Sequence, residues 1–273
     1  MHDLATQQGP GGPGPGGLGY DDRGEGEPAL LLLTGWCSSR RRWAQAAPRL
    51  AAHRRVVSFE WRGHGESRPA TEDFTTDDMV QDALAVIDAC GLHTVIPCSA
   101  SHSGWVAIEL RRQLGDRVPA IVHLDWMLAE PSPPYLGLLS ELQDPVRWPQ
   151  ARDTLFEIWR AGDTSAPITD AIEVMSRQAA AMWMRSGREI QAAYLRQTSP
   201  LKALAALAAP PTVLHLYGQP PAPEYLELQQ LFAAEHDWFS VRRLDARTHF
   251  VMIEAPEAVA AEIEQLARSV ARG

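Results

Sequence analysis

The chain has 273 residues, 45% of them hydrophobic, and a formal net charge of −9. That size suits one large folded core without requiring two domains. The acidic balance, with no basic run beyond Arg40-Arg41-Arg42, argues against nucleic acid or an anionic membrane as a partner.

The Arg40 to Arg42 run reads as a solvated helix start. Cys37, Cys90 and Cys98 cannot all pair and lack the spacing of a zinc site. With no signal-peptide core in view, they imply a reduced, cytoplasmic protein. No apolar stretch nears the ~20 residues of a membrane span.

Residues 1–16 are dominated by Gly and Pro and read as a flexible tail, with the folded part starting near Leu18. Ala29 to Leu33 is a continuous apolar run, the signature of a strand buried on both faces of a parallel sheet. The loop Thr34-Gly35-Trp36-Cys37, a helix over 43–52 and a second strand over 55–59 follow. The loop Trp61-Arg62-Gly63-His64-Gly65 comes next, where His64 reads as a structural residue in a Gly-flanked turn. A helix capped by Thr75 or Thr76 and stopped by Gly91 precedes the strand over 93–98.

That strand runs into Ser99-Ala100-Ser101-His102-Ser103, and an amphipathic helix begins directly after it. Ser101 therefore sits on a strand-to-helix turn whose flanks two residues away are small, the pattern of a nucleophile elbow with serine in place of glycine. Residues 118–124 form another buried strand ending at Asp125. From 130 to 207 the pattern turns strand-poor, with helical stretches near 151–161, 167–184 and 188–197. Strands return at 212–217 and 240–244, the latter preceded by a helix near 224–234. Thr248-His249-Phe250 then leads into a last helix over 256–271.

Strands alternating with helices predict an α/β chain with a mostly parallel, doubly wound sheet, its site at the carboxyl ends of the strands. Residues 17–129 and 208–273 form the core, and 130–207 a helical cap inserted after the strand ending at Asp125. Ser101, Asp125 and His249 then fall at strand ends in the order serine, acid, base that marks the α/β-hydrolase fold. The loop after the 212–217 strand offers no aspartate, which leaves Asp125 as the acid and Glu224 a poor second. Of the other histidines, His2, His53, His93, His123, His215 and His236 read as surface or packing residues. Backbone N–H groups of Trp36 and His102 are placed as an oxyanion hole. Trp36, Trp159 and Trp183 are candidates for a flat apolar lining, whereas Met175, Met182 and Met184 read as lid lining or, preferably, as helix packing.

Gly35-Trp36-Cys37, Trp61 to Gly65, Ser101-His102 with Gly104-Trp105, Asp125-Trp126, Asp144-Pro145 with Arg147-Trp148, Arg185-Ser186-Gly187-Arg188 and Asp237-Trp238-Phe239 before Thr248-His249-Phe250 together resemble the cofactor-independent 2,4-dioxygenases of 3-hydroxy-4(1H)-quinolones. The resemblance runs from about Ala29 to the last helix. It implies no metal or organic cofactor, a small aromatic heterocycle and O2 as reaction partners, and release of carbon monoxide with an N-acylanthranilate. It makes His249 the general base, Asp125 its orienting partner and Ser101 a hydrogen-bonding or proton-relaying group. The better-known quinaldine-cleaving relatives have histidine where this chain has Ser38 and Ala100, and glycine where it has Ser103. Those changes leave the 2-substituent open.

The residues alone leave two other readings. One is a serine hydrolase of esters or amides using Ser101, His249 and Asp125. The other is a noncatalytic receptor for a small aromatic molecule. Oligomeric state has no signature in the sequence.

Overall fold

Seven strands form one sheet in the order β1-β3-β2-β4-β5-β6-β7, parallel except for β1. They are seen in a computed structural model describing residues 14–271. The strands are β1 Tyr20–Arg23, β2 Ala29–Leu33, β3 Val56–Phe59, β4 Val95–Ala100, β5 Ala120–Leu124, β6 Thr212–Tyr217 and β7 Phe239–Arg243. Of the Gly/Pro stretch expected as a tail, residues 1–13 lie outside the described residues, and Pro15–Gly17 forms a single 3-10 turn.

The apolar run of β2 is continuous because both of its faces are covered. Ala29, Leu31 and Leu33 belong to one buried cluster, and Leu30 and Leu32 to the other. The first cluster takes in the apolar faces of α2 (Thr76–Ala89) and α3 (Gly104–Leu114); the second takes those of α1 (Ala46–Ala51) and α11 (Pro256–Val270). Thr75 caps α2 through a reciprocal pair with Asp78, which satisfies two of the orphan N–H donors at that helix end.

Strand β1 escapes the sequence reading because Tyr-Asp-Asp-Arg carries no apolar alternation. It is an edge strand, antiparallel to β3, and its acids are anchored sideways: Asp22 to Arg55 at 2.7 Å and Asp21 to Arg40 at 2.8 Å. Such charged edges also discourage pairing with other chains.

Between β5 and β6 lie only helices: α4 Pro133–Leu142, α5 Trp148–Arg160, α6 Ala166–Ser176, α7 Ala180–Gln197 and α8 Pro200–Ala205. Three points differ from expectation, the first being that the helical stretch expected over 167–184 is interrupted between α6 and α7, at 177–179. Helix α4 occupies the proline-rich stretch, since Ser132 caps it and prolines fill its first positions, where a missing N–H costs nothing. Helix α7 runs unbroken through Ser186-Gly187. A Cβ on Gly187 would sit 2.8 Å from Leu142 Cβ and 2.9 Å from the Leu139 carbonyl oxygen, so glycine there permits close packing on α4 rather than ending the helix. The remaining helices are α9 (Pro223–Glu235) and the short α10 (Val251–Glu254). Among the described residues no helix is long and apolar enough to cross a membrane.

Candidate active site

The carboxyl ends of β4 and β5 and the loop after β7 converge on Ser101, Asp125 and His249. Ser101 has φ +54° and Asp125 φ +45°, left-handed conformations that cost a non-glycine residue roughly 1–3 kcal/mol and persist only where surroundings impose them. At the elbow the imposing groups are the two flanking serines. Ser99 Oγ lies 2.7 Å from His123 Nδ1, and Ser103 Oγ donates to the Ala100 carbonyl at 2.9 Å; both serines are fully buried. Gly35 brings the loop after β2 alongside: its missing Cβ would lie 3.4 Å from Ser101 Cβ.

Asp125 is 4% exposed and fully engaged. Oδ1 accepts from the backbone N–H groups of Gly218 and Gln219 at 2.7 and 2.9 Å, and Oδ2 pairs with His249 Nδ1 at 2.6 Å. The loop after β6, which lacks an acid of its own, thus holds the acid of β5 in place. Glu224, the alternative acid, is exposed on α9. The His249 N–H donates to the Trp159 carbonyl at 2.8 Å, and the two rings stack at 5.1 Å and 21°. The backbone and ring contacts fix the imidazole plane, and Asp125 fixes its tautomer with the proton on Nδ1. Nε2 is left as a lone pair with no protein partner among the described residues, and no hydrogen bond joins it to Ser101 Oγ.

His102, next to Ser101, is held in the opposite tautomer. Trp126 Nε1 donates to its Nδ1 at 3.1 Å, so Nε2 carries the proton and donates to Tyr135 Oη at 2.7 Å. Burial, and then the neighbouring His249, lower its pKa to about 3, which keeps it neutral. Burial likewise pushes the Tyr135 phenol up, so its proton stays on the oxygen and is free to be donated into the cavity.

Two lobes with a shared wall open onto these groups. The outer has a volume of about 330 Å³, at the lower end for a pocket burying a small organic ligand; Ile158, Gln219 and Pro220 border it. The inner, about 30 Å³, is bordered by Trp36, Ser38, Arg42, Met175 and Trp183. Ser101, His102, Tyr135, Leu155, Trp159 and His249 line both. Trp36 stacks on Phe74 at 5.4 Å and Trp183 packs edge-on to Phe156 at 5.5 Å. Every expected site residue therefore reaches this cavity. Among the described residues no three His, Cys, Asp or Glu side chains converge as metal ligands do.

Two polar lining residues, Tyr135 and Arg42, were not anticipated, and Met175 takes the lid-lining alternative rather than packing alone. Tyr135 sits on α4, behind a Ser-Pro-Pro sequence that is itself a helix start signal. Met175, read preferably as packing, meets the inner lobe as well as the α6 core. Arg42 corrects the reading of Arg40 to Arg42 as a solvated run: Arg40 is tied to Asp21, Glu60 and Glu66, and Arg42 is buried in the inner lobe. His64 is structural as expected, accepting from the Cys37 N–H at 2.9 Å and held neutral by burial, with a pKa near 4.

A profile of the Alpha/beta hydrolase family matches residues 30–262. The chain is 38% identical to a 2-heptyl-3-hydroxy-4(1H)-quinolone dioxygenase of Mycobacteroides abscessus, over 90% of this chain and 92% of the relative. It is 36% identical to a 1H-3-hydroxy-4-oxoquinoline 2,4-dioxygenase of Pseudomonas putida, over 90% and 94%. The solved structure of an AqdC variant, described as recognising and cleaving the ring of the Pseudomonas quinolone signal and bound to its substrate, superposes with a TM-score of 0.89 at 38% identity, covering 92% of this chain and 96% of that one. An esterase of Thermogutta terrifontis superposes at 0.73 with 20% identity, a likeness of fold alone.

Proposed function

We propose, for a chain that belongs to the Alpha/beta hydrolase family and within it to the 3-hydroxy-4-quinolone dioxygenases, that it cleaves the heterocyclic ring of a 3-hydroxy-4(1H)-quinolone with O2. The observation that carries the chemistry is the His249 ring, with Nδ1 bound to Asp125 and a bare Nε2 at the junction of the two lobes. Nε2 takes the proton of the 3-hydroxyl group, and the Asp125 carboxylate stabilises the imidazolium that results. Trp159, in the outer lobe, offers flat apolar surface to the bicyclic ring. The N–H groups of Trp36 and His102 hold the C4 oxygen as negative charge spreads over the ring.

The electron-rich anion then reacts with O2 at C2, leaving a peroxide there and a carbonyl at C3. The peroxide closes onto C4. Cleavage of the O–O bond and of the C2–C3 and C3–C4 bonds expels C3 with its own oxygen as carbon monoxide, and leaves an N-acylanthranilate holding both atoms of O2. Ser101 hydrogen-bonds the substrate oxygen or relays its proton, and the helices between β5 and β6 act as a cap that keeps water from the anion. The three unpaired cysteines support a reducing, cytoplasmic setting.

The strained elbow at Ser101 favours a second reading, a serine hydrolase. The dioxygenase reading is supported instead by 38% and 36% identity to quinolone dioxygenases over nine-tenths of the chain, against a likeness of fold alone to an esterase. The two separate by mutation. As a dioxygenase the protein loses about 10²- to 10⁴-fold of its quinolone turnover with His249→Ala, the range a general base contributes, and far less with Ser101→Ala. As a hydrolase it loses p-nitrophenyl ester cleavage equally with either.

A further inference from the structure

The inner lobe presents hydrogen-bond donors and no anion to receive them. Arg42 is 8% exposed, and among the described residues no carboxylate lies within 4.0 Å of its guanidinium. Its side-chain contacts are the Met175 thioether and the face of Phe250, whose centroid is 4.3 Å away. A thioether is a weak acceptor, and a ring face replaces only part of an ion's lost hydration. Buried guanidinium groups are ordinarily paired, since an unpaired buried charge is strongly unfavourable. The other arginines buried to this degree obey the rule: Arg54 has Glu264 at 2.6 Å, and Arg111 has the carbonyls of Ala209 and Val118.

Two neighbours in the same lining repeat the pattern. Ser38 Oγ and Trp183 Nε1 are buried with no hydrogen-bond partner, although their residues are only 1% and 2% exposed. Two unsatisfied donors and a guanidinium paired only with a thioether and a ring face surround one lobe with no carboxylate among its lining residues, which makes a place for a ligand that brings the acceptor.

We propose that the inner lobe is an anion subsite, and that the preferred 3-hydroxy-4-quinolone carries a carboxylate beside its reacting edge, received by Arg42, Ser38 and Trp183. The inference rests on the dioxygenase reading for the ring, not for the subsite. Geometry links the two, because the lobes share Ser101 and His249: a ring held in the outer lobe with its reacting edge at His249 sends its adjacent substituent inward. The inner volume of about 30 Å³ exceeds the roughly 10–15 Å³ of such space that a single water needs, room for a small polar group but not for a seven-carbon chain. Burial lowers the Arg42 pKa to about 9, so the guanidinium remains charged at neutral pH and gains by pairing.

The test is equilibrium binding of two unreactive probes lacking the 3-hydroxyl group, 4(1H)-quinolone-2-carboxylate and 2-methyl-4(1H)-quinolone, to the purified protein. The wild type is expected to bind the carboxylate at least about tenfold more tightly, as a charge-assisted contact provides. Arg42→Met, checked first for a wild-type melting transition, is expected to lose that preference. Ser38→Ala, which breaks no hydrogen bond of the fold, is expected to reduce it about threefold and serves where Arg42→Met does not fold. Equal affinity for the two probes in the wild type, or a preference unchanged in both variants, overturns the proposal. Because the probes need no turnover, a carboxylate preference in a protein that cleaves no 3-hydroxyquinolone refutes the dioxygenase reading and leaves the subsite standing.

Discussion

Replacing Asp125 by asparagine should be more damaging than replacing it by alanine, and the reason lies in the two oxygens. Oδ1 is fixed by two backbone donors, Gly218 and Gln219, at 2.7 and 2.9 Å. An asparagine must therefore keep its carbonyl there, because the opposite flip would set an NH2 group against two N–H groups. Its amide nitrogen then faces His249 Nδ1, donates to it, and forces the imidazole proton onto Nε2. The base is lost to the wrong tautomer, and the charge that stabilises the imidazolium is lost with it. A charge-assisted hydrogen bond contributes about 1.5–3 kcal/mol. With the tautomer penalty added, about 4–5 kcal/mol is lost from the transition state, or roughly 10³- to 10⁴-fold in kcat. Asp125→Ala leaves both tautomers open and should lose about tenfold less. Single-turnover absorbance after anaerobic binding, followed by mixing with oxygenated buffer, measures both variants. Comparable rates for asparagine and wild type, or alanine slower than asparagine, would refute the reasoning.

Ser101→Ala should retain quinolone cleavage within about 30-fold, since it removes one hydrogen bond to substrate rather than the base; steady-state kinetics beside His249→Ala checks this. Stability should fall with acid. His64 and His215 are held near pKa 4 and His102 near 3 by burial, while an unfolded histidine titrates near 6.5. The unfolded chain thus binds more protons below pH 6.5, so the contribution is complete above that value and lost progressively toward pH 4, each histidine costing on the order of 1 kcal/mol per pH unit. Urea midpoints measured from pH 7.5 to 5 should drop steadily, and a flat profile would contradict the buried neutral assignment. Gly104→Ala should abolish folding or lower the melting temperature sharply, because the added methyl would overlap the Trp126 ring; circular dichroism reads this directly.

Much of this site is legible in the sequence because it depends on local signals. The strand-to-helix turn announces Ser101, the apolar run before Asp125 announces a strand end, and Thr-His-Phe before the last amphipathic helix announces His249. Arg42 and Tyr135 were illegible for the opposite reason. Whether an arginine beside two others is solvated or buried depends on Met175 and Phe250, which are 133 and 208 positions away in the chain. The bond between His102 and Tyr135 needs α4 folded back across the elbow, a tertiary fact with no local periodicity. Strand β1 was missed because its stability comes from β3 and from ion pairs, not from alternation of its own. The gap expected between 184 and 188 is absent because Gly187 packs closely on α4 inside an unbroken α7.

The most direct measurement is a single turnover under ¹⁸O2. The metal-free protein is loaded anaerobically with a 3-hydroxy-4(1H)-quinolone, and labelled gas is admitted while the gas phase and the product are followed by mass spectrometry. The account predicts a bound-anion spectrum before oxygen enters. After admission it predicts unlabelled carbon monoxide, and an N-acylanthranilate carrying one ¹⁸O in its amide and one in its carboxylate. Label in the carbon monoxide, no oxygen requirement, or an inert quinolone with ester cleavage lost in Ser101→Ala would contradict it.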